Sequence, residues 1–287
     1  MNAWNLGSRP LPLDRPRIVA ILNVTPDSFA DGGRALDPGV AIDRAFALAA
    51  EGADALDIGG ESTRPGSQAV PAQEQSARVL PVLRGLRARA FPLPITIDTT
   101  LAPVAAAALD AGADGINDIS AGRDDPAMLE LVASRGAGLI LMHRLTAPPL
   151  DRFSDRYAAP PVYGDVVAEV AGFLRERAAA AVAAGIEPQR LVLDPGLGFG
   201  KDVAQNLALI DGTRVLRELG FPMLSGLSRK SFVGRVWFGR DSTPDERLEG
   251  TIAMSVRHLH AGAVLFRVHD VAAHRAALDR EWAQFSR

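Results

Sequence analysis

The chain contains no cysteine, which excludes disulfides, thiolate metal sites and a thiol nucleophile. It has almost no lysine: of 31 basic residues, only Lys201 and Lys230 are not arginine. Lysine is a compact point charge and arginine a planar fork, so two lysines kept against that habit suggest confined sites where a guanidinium would not serve. No apolar run reaches membrane-spanning length, and the opening MNAWNLGSRPLPLDRPRIVA lacks the apolar centre of a signal peptide. A cytoplasmic protein with no membrane partner is expected. The net charge of −3 gives no general attraction for nucleic acid, so any anion site must be local. No composition shift divides the 287 residues, a length that one barrel of about 250 residues nearly fills.

What is present is organised around residues 18–33, IVAILNVTPDSFADGG. An apolar, β-branched run from Ile18 to Leu22 suits a strand buried on both faces. It breaks abruptly into Asn23, Thr25, Pro26, Asp27, Ser28, Asp31, Gly32 and Gly33, a polar loop at a strand's end. The same pattern recurs down the chain, with further strands at 55–61, 94–99, 115–120, 138–143, 190–196, 222–228 and 263–270. Helical patterns separate them: Asp37-Pro38 reads as N-cap and first-turn proline, Asp125-Pro126 as another cap, and Thr243-Pro244-Asp245-Glu246 as a capping box. Helices are expected from about Pro71 to Leu86, with Pro81 inside, and from about Val166 to Ala184. Repeated strand–helix units without reversal predict an α/β fold, a single (β/α)8 TIM barrel whose site lies at the C-terminal ends of the strands. Residues 1–17 read as a proline-rich lead-in and 18–287 as the barrel domain.

The strand ends carry opposed charges. Asp98, Asn117 and Asp194 would aim acceptors, and one amide, into the barrel mouth. Buried carboxylates need donors, and the N–H edge of an aminopyrimidinone heterocycle supplies them; an internal network with Lys230, Arg229 or backbone amides would also do so. Facing them is a basic rim of Arg64, Lys230, Arg267 and His269, the last two alternating onto one side of a strand, suited to a polyanion. Asn23 and the aspartates of the first loop are hard oxygen donors of the kind magnesium accepts beside substrate phosphates. GLGFGK at 196–201 is not a nucleotide loop, because Pro195 replaces the first glycine of that motif and Asp202 follows the lysine. Its glycines are expected to allow backbone approach to a flat ligand near Phe199. His143, His258, His260 and His274 have no assigned role.

In order along the chain, ILNVTPDSF (21–29), DIGGESTRPG (57–66), IDT (97–99), INDIS (116–120), LDPGLGFGK (193–201), SRKSF (228–232) and RVHD (267–270) resemble the dihydropteroate synthase family over nearly the whole length. The resemblance implies condensation of 6-hydroxymethyl-7,8-dihydropterin diphosphate with p-aminobenzoate, releasing pyrophosphate, in folate biosynthesis. It implies that Asp98, Asn117, Asp194 and Lys230 hold the pterin, with Phe199 and Met142 in the same pocket. Arg267 would stack on the ring and, with His269, contact the diphosphate, while Asn23 would bind Mg2+, the expected cofactor. Arg64, Lys230, Arg267, His269 and Asp31 form the expected catalytic set; Thr63, Phe29, Pro65 and Ser231 would surround p-aminobenzoate, Ser231 at a helix N-terminus. A homodimer is implied as well.

Departures from the family pattern are Ala30, Ala121 after INDIS, and a long stretch from Arg144 to Tyr163. Alternatives are a pterin-binding paralogue without turnover and a pterin-dependent methyltransferase domain. A Schiff-base aldolase using Lys230 or Lys201 is a third.

Overall fold

The computed structural model describes residues 2–25 and 37–285. The first-loop residues Pro26 to Asp31, Phe29 and Asp31 included, lie outside the described residues, as do Gly32 and Gly33.

Eight parallel strands form the barrel: β3 (Arg17–Asn23), β4 (Ala55–Gly59), β5 (Ile95–Asp98), β6 (Gly115–Asp118), β7 (Gly138–Met142), β8 (Leu191–Asp194), β9 (Leu224–Ser225) and β10 (Leu265–Val268). Neighbours pair in sequence order, β3 also pairs with β10, and a parallel bridge between Leu193 and Met223 closes the ring. Each expected strand is present at its expected place. The helices are α1 (Pro38–Ala50), α2 (Ala72–Ala88), α3 (Ala102–Asp110), α4 (Met128–Arg135), α5 (Val166–Ala183), α6 (Val203–Asp211), α7 (Thr213–Arg217), α8 (Ser231–Phe238), α9 (Leu248–Ala261) and α10 (Val271–Phe285). Among the described residues no helix is long and apolar enough to cross a membrane.

Caps explain several helix boundaries. Asp37 accepts from the Gly39 amide at 2.8 Å, and Asp165 accepts from those of Val167 and Ala168. Asp125 instead caps a turn before α4 and reaches across to the Ala102 amide at 2.8 Å, so it holds the start of the preceding helix. At 243–246 only half of the expected box forms, because Glu246 accepts both the Thr243 amide and its hydroxyl, and a 3-10 turn precedes α9. The full capping box belongs to Asp202 and Gln205 on α6.

Strand alternation sorts side chains into two shells. Leu56, Ile58, Ile95, Ile97 and Ile116 point outward into the layer beneath the helices, the larger core. Inward, Val19, Ala55, Ile140, Val192, Leu224 and Leu265 form an apolar layer at the N-terminal end of the barrel. That end is plugged by an antiparallel hairpin, β1 (Ala3–Leu6) and β2 (Arg9–Pro12), where the proline-rich sequence announces only a lead-in. Trp4 and Leu6 are fully buried in the plug, and the Trp4 indole donates to the Arg190 carbonyl at 2.9 Å. A Cβ on Gly138 would stand 2.6 Å from Leu6 Cδ2, so the plug fits because that strand begins with glycine.

His258 sits in the wall away from the mouth, its Nδ1 2.9 Å from the Ser225 hydroxyl and its Nε2 2.9 Å from that of Thr213. Thr213 donates its proton to the Leu209 carbonyl, so it accepts from Nε2–H of the ring. Burial lowers the histidine pKa from 6.5 to about 3. Below pH 6.5 the unfolded chain therefore binds a proton that the folded chain refuses, and the stability this confers is full above 6.5 and lost progressively as pH falls toward 3. Relative to the wild type, His258→Gln is expected to flatten the acid decline in urea stability by about 1.4 kcal/mol per pH unit between pH 6 and 4. Parallel curves for the two proteins would refute this.

Candidate active site

One residue pair further along each strand, the inward positions change from apolar to charged. Asp57 at the middle of β4, Thr96 and Asp98 of β5, Asn117 of β6, Met142 of β7, Asp194 of β8 and Arg267 of β10 supply the side chains above that apolar layer, most of them from the C-terminal halves of their strands. Asp57, Thr96, Asp98 and Asn117 meet in a hydrogen-bonded network centred on Arg267. Its Nε donates to Asp57 Oδ2 at 2.6 Å, and its Nη2 donates to Asp98 Oδ2 at 2.8 Å. Asp57 Oδ2 also accepts from Asn117 Nδ2 at 3.0 Å, and Asp57 Oδ1 accepts from the Thr96 hydroxyl at 2.6 Å. Asp57 is fully buried and, although it opens the DIGGESTRPG motif, is absent from the expected site residues. A carboxylate within the apolar strand ALDIG, facing inward two residues before the mouth, is the signal that could have found it.

Burial pushes the Asp98 carboxyl up, to about 7, against the pull of Arg267; Asp57 and other nearby carboxylates push the same way. Asp194 is raised chiefly by burial and opposed most strongly by Lys230. Its Oδ1 accepts from the Gly196 amide at 2.7 Å. An internal network on these carboxylates therefore exists, through a backbone amide as expected but through Arg267 in place of the expected Arg229, which bonds Asp270 and Asp245.

Lys230 follows β9. Its ammonium lies 4.3 Å from the centre of the Phe199 ring and donates to the Leu197 carbonyl. Burial lowers its pKa to about 8. Phe199, Met142 and Ile119 make a small apolar pad beside it. The second lysine is wholly enclosed: Lys201 Nζ is 3.0 Å from the Gly196 carbonyl, 2.8 Å from the Phe199 carbonyl and 2.9 Å from His143 Nδ1. Burial brings its pKa down to about 7, while burial first and the adjacent Lys201 second take His143 down to about 2. His143 is thus a neutral acceptor, and Lys201 binds together the loop it ends. Both lysines occupy the confined sites expected of them.

The glycines of that loop answer to the protein's own packing. A Cβ on Gly196 would stand 1.7 Å from the His143 carbonyl oxygen, and one on Gly198 2.7 Å from Lys230 Cδ. Their φ values of +68° and +81° also disfavour any side chain. These glycines are thus required by the packing of His143 and Lys230 themselves, whatever ligand the loop approaches.

The basic rim gathers around His269. Its Nδ1 is 3.0 Å from the Ser228 hydroxyl, which also accepts the His269 backbone amide at 3.2 Å. Burial, then the charges of Arg267, Arg229 and Arg64, lower its pKa to about 3, so the ring is neutral amid cations. Arg229 is itself paired, its fork donating to Asp270 at 2.9 and 2.6 Å and to Asp245 at 3.0 Å. As a cationic neighbour for an aldolase lysine it is therefore neutralised.

The second loop carries half-buried Thr63 and Pro65 with exposed Arg64 between them. It is tied at its start by Glu61, which accepts from the Val70 amide and from Gln75 Nε2. Ser231, largely buried, is the first residue of α8. Asn23 ends β3, and its Oδ1 lies 3.3 Å from where a Cβ on Gly59 would sit. Among the described residues no three acidic or histidine side chains converge as a metal cage. A lone amide oxygen at the mouth suits a magnesium ion that keeps waters and takes its other ligands from phosphates.

The family model "Pterin binding enzyme" matches residues 19–269. The chain is 45% identical over 267 residues to the dihydropteroate synthase of Mycobacterium leprae (strain TN), covering 92% of this chain and 90% of that one. It superposes with a TM-score of 0.90, at 45% identity, on the Xanthomonas albilineans dihydropteroate synthase solved with 4-aminobenzoic acid, covering 100% of this chain and 99% of the other. Against the same enzyme in complex with 7,8-dihydropteroate the TM-score is 0.86 at 42% identity, with 99% of each chain covered. With strand order, mouth chemistry and full-length similarity in agreement, the chain belongs to the dihydropteroate synthases of the pterin-binding enzyme family.

Proposed function

We propose that the mouth divides between the two substrates of the dihydropteroate synthase reaction, 6-hydroxymethyl-7,8-dihydropterin diphosphate and p-aminobenzoate. What carries this reading is the meeting of acids and bases on one side chain: Arg267 joins Asp57 and Asp98 and also lowers the pKa of His269. A pterin would offer its N–H groups to Asp194, Asp98 and the Asn117 amide, with Lys230 donating to a ring acceptor and Met142 and Phe199 against its faces. Arg267 would shift from Asp98 toward the ring and the diphosphate. Ser228, donating to His269 Nδ1, would leave Nε2–H pointing to a phosphate oxygen, and Arg64 would add a second donor.

The C–O bond to the diphosphate breaks with its electron pair leaving on pyrophosphate, and the aniline nitrogen forms the new C–N bond and releases a proton. Positioning and charge stabilisation supply the acceleration, because leaving-group charge develops where Arg64, Arg267 and neutral, donating His269 converge. Asn23 would hold a magnesium ion, which when bound supplies charge neutralisation to the diphosphate; Asp31, also expected in the catalytic set, lies outside the described residues. Thr63 and Pro65 would flank the p-aminobenzoate ring, and the free amides at the start of α8, with Ser231, would take its carboxylate. A homodimer and a cytoplasmic location are proposed on family resemblance alone; sedimentation equilibrium tests the first.

The direct test is pyrophosphate release from the purified protein with pterin diphosphate, p-aminobenzoate and Mg2+. Release that needs all three, with dihydropteroate formed, supports the reading; tight pterin binding without turnover favours the silent paralogue. The pH profile of kcat/KM for the pterin substrate is expected to be a narrow bell, rising as Asp98 loses its proton near pH 7 and falling as Lys230 loses its own near pH 8. Asp98→Asn should abolish the acid limb and leave the alkaline one; an unchanged acid limb would assign it elsewhere.

A further inference from the structure

Between β7 and α5 the chain takes a long path, residues 144–163, to which the reaction assigns no role. It is bonded to both substrate loops. Asp151 is buried, and its Oδ2 accepts from the Gly200 amide at 2.9 Å; the Tyr163 hydroxyl donates to the Gly200 carbonyl at 3.0 Å. Both backbone groups of Gly200, next to Phe199 and Lys201, are therefore held by this segment. Asp151 Oδ1 accepts from the Arg152 amide at 2.8 Å and from the Tyr157 hydroxyl. Just before it, in the 3-10 turn Pro148–Leu150, the Pro148 carbonyl accepts from the Gly66 amide at 2.8 Å. Gly66 ends the run Thr63-Arg64-Pro65, and Asp151 closes the turn by donating its own amide to the same Pro148 carbonyl at 3.2 Å.

We propose that Asp151 is a positioning residue for p-aminobenzoate: it fixes the 148–151 turn on the glycine loop, and that turn holds the second loop in place through Gly66. The physical argument is one of order. A loop with a pre-formed anchor spends less conformational entropy when its ligand arrives, so the anchor favours binding of the ligand that the loop covers. Lys201 already secures the glycine loop from within, so loss of the Asp151 bond is transmitted mainly toward Gly66.

The proposal rests on the reading of the second loop as the p-aminobenzoate side. Asp151→Ala is expected to raise KM for p-aminobenzoate about tenfold, with kcat and KM for the pterin diphosphate within about threefold of wild type. Asp151→Asn can still accept from Gly200 and donate to Tyr157, losing only the local Arg152 amide bond, and should restore KM to within about threefold. Tyr157→Phe leaves the Gly200 bond in place and should give a smaller rise, which keeps the test open if the alanine variant folds poorly. Independently of turnover, amide exchange at Gly66 and Ser67 in the ligand-free protein should accelerate in Asp151→Ala and return toward wild type in Asp151→Asn. Wild-type turnover with unchanged p-aminobenzoate KM and unchanged exchange in these variants overturns the proposal, and so does an equal rise in both KM values. Wild-type protein inert toward all three substrates would instead overturn the reading of the reaction.

Discussion

Asp57→Ala is expected to lower the stability of the protein by about 3–5 kcal/mol, the range for stripping one partner from a buried ion pair. The single substitution removes the acceptor of Arg267 Nε, Asn117 Nδ2 and the Thr96 hydroxyl together, at a position with no solvent to replace it. The Arg267 guanidinium would remain buried with Asp98 alone. For a barrel of this size the corresponding fall in melting temperature is roughly 10 °C. Asp57→Asn should cost less, because an amide oxygen in the place of Oδ2 can still accept from Arg267 Nε and Asn117 Nδ2, two of the three donors. Activity should fall with stability, since Arg267 released from Asp57 would no longer be held toward the mouth. A melting temperature within about 2 °C of wild type would mean that the network is dispensable to the fold.

Lys230→Met is expected to reduce kcat/KM for the pterin diphosphate by about 10²–10³, equivalent to about 3–4 kcal/mol, and to do so mainly through KM. Methionine keeps the length and apolar volume of the stem against Phe199 but removes the ammonium. Two losses follow. The ligand loses a buried charged donor, and Asp194 loses the strongest influence opposing its burial, so its carboxyl is protonated at higher pH and ceases to accept from the pterin edge. Lys230→Arg is expected to fail as well, because the stem runs against Gly198, whose absent Cβ would lie 2.7 Å from Lys230 Cδ. A planar guanidinium does not fit where the ammonium meets the Leu197 carbonyl. Calorimetric titration of the pterin substrate separates binding from turnover, and an arginine variant as tight as wild type would remove the argument from size.

The confinement of Lys201 and Lys230 is legible in composition, since a chain that otherwise writes its positive charge as arginine keeps two lysines, one wholly enclosed and the other half-buried against Phe199. The strands are legible for a similar reason: an apolar run of five to seven residues followed by a polar loop is a local signal, and local backbone preference and burial act on the same short window. Caps such as Asp37 depend on neighbours two residues away and can be read directly, whereas Asp125 cannot, because half of its work is on Ala102 in another helix.

The sequence by itself thus determined the barrel, the order of its strands, the end at which chemistry collects and, through its motifs, the family. Tertiary structure decided what each charged group does with its neighbours. Arg267 and Asp57 are 210 positions apart and meet only because β10 closes beside β3 and β4. The hairpin that plugs the barrel was hidden in a proline-rich opening, since its partners are the glycine-led strands β6 and β7. That the glycines of residues 196–200 also make room for His143, Leu145 and Lys230 is visible only in the folded protein. Periodicity reports on contacts within a turn or a strand, whereas a buried carboxylate finds its donors only when distant strands have been brought to one mouth.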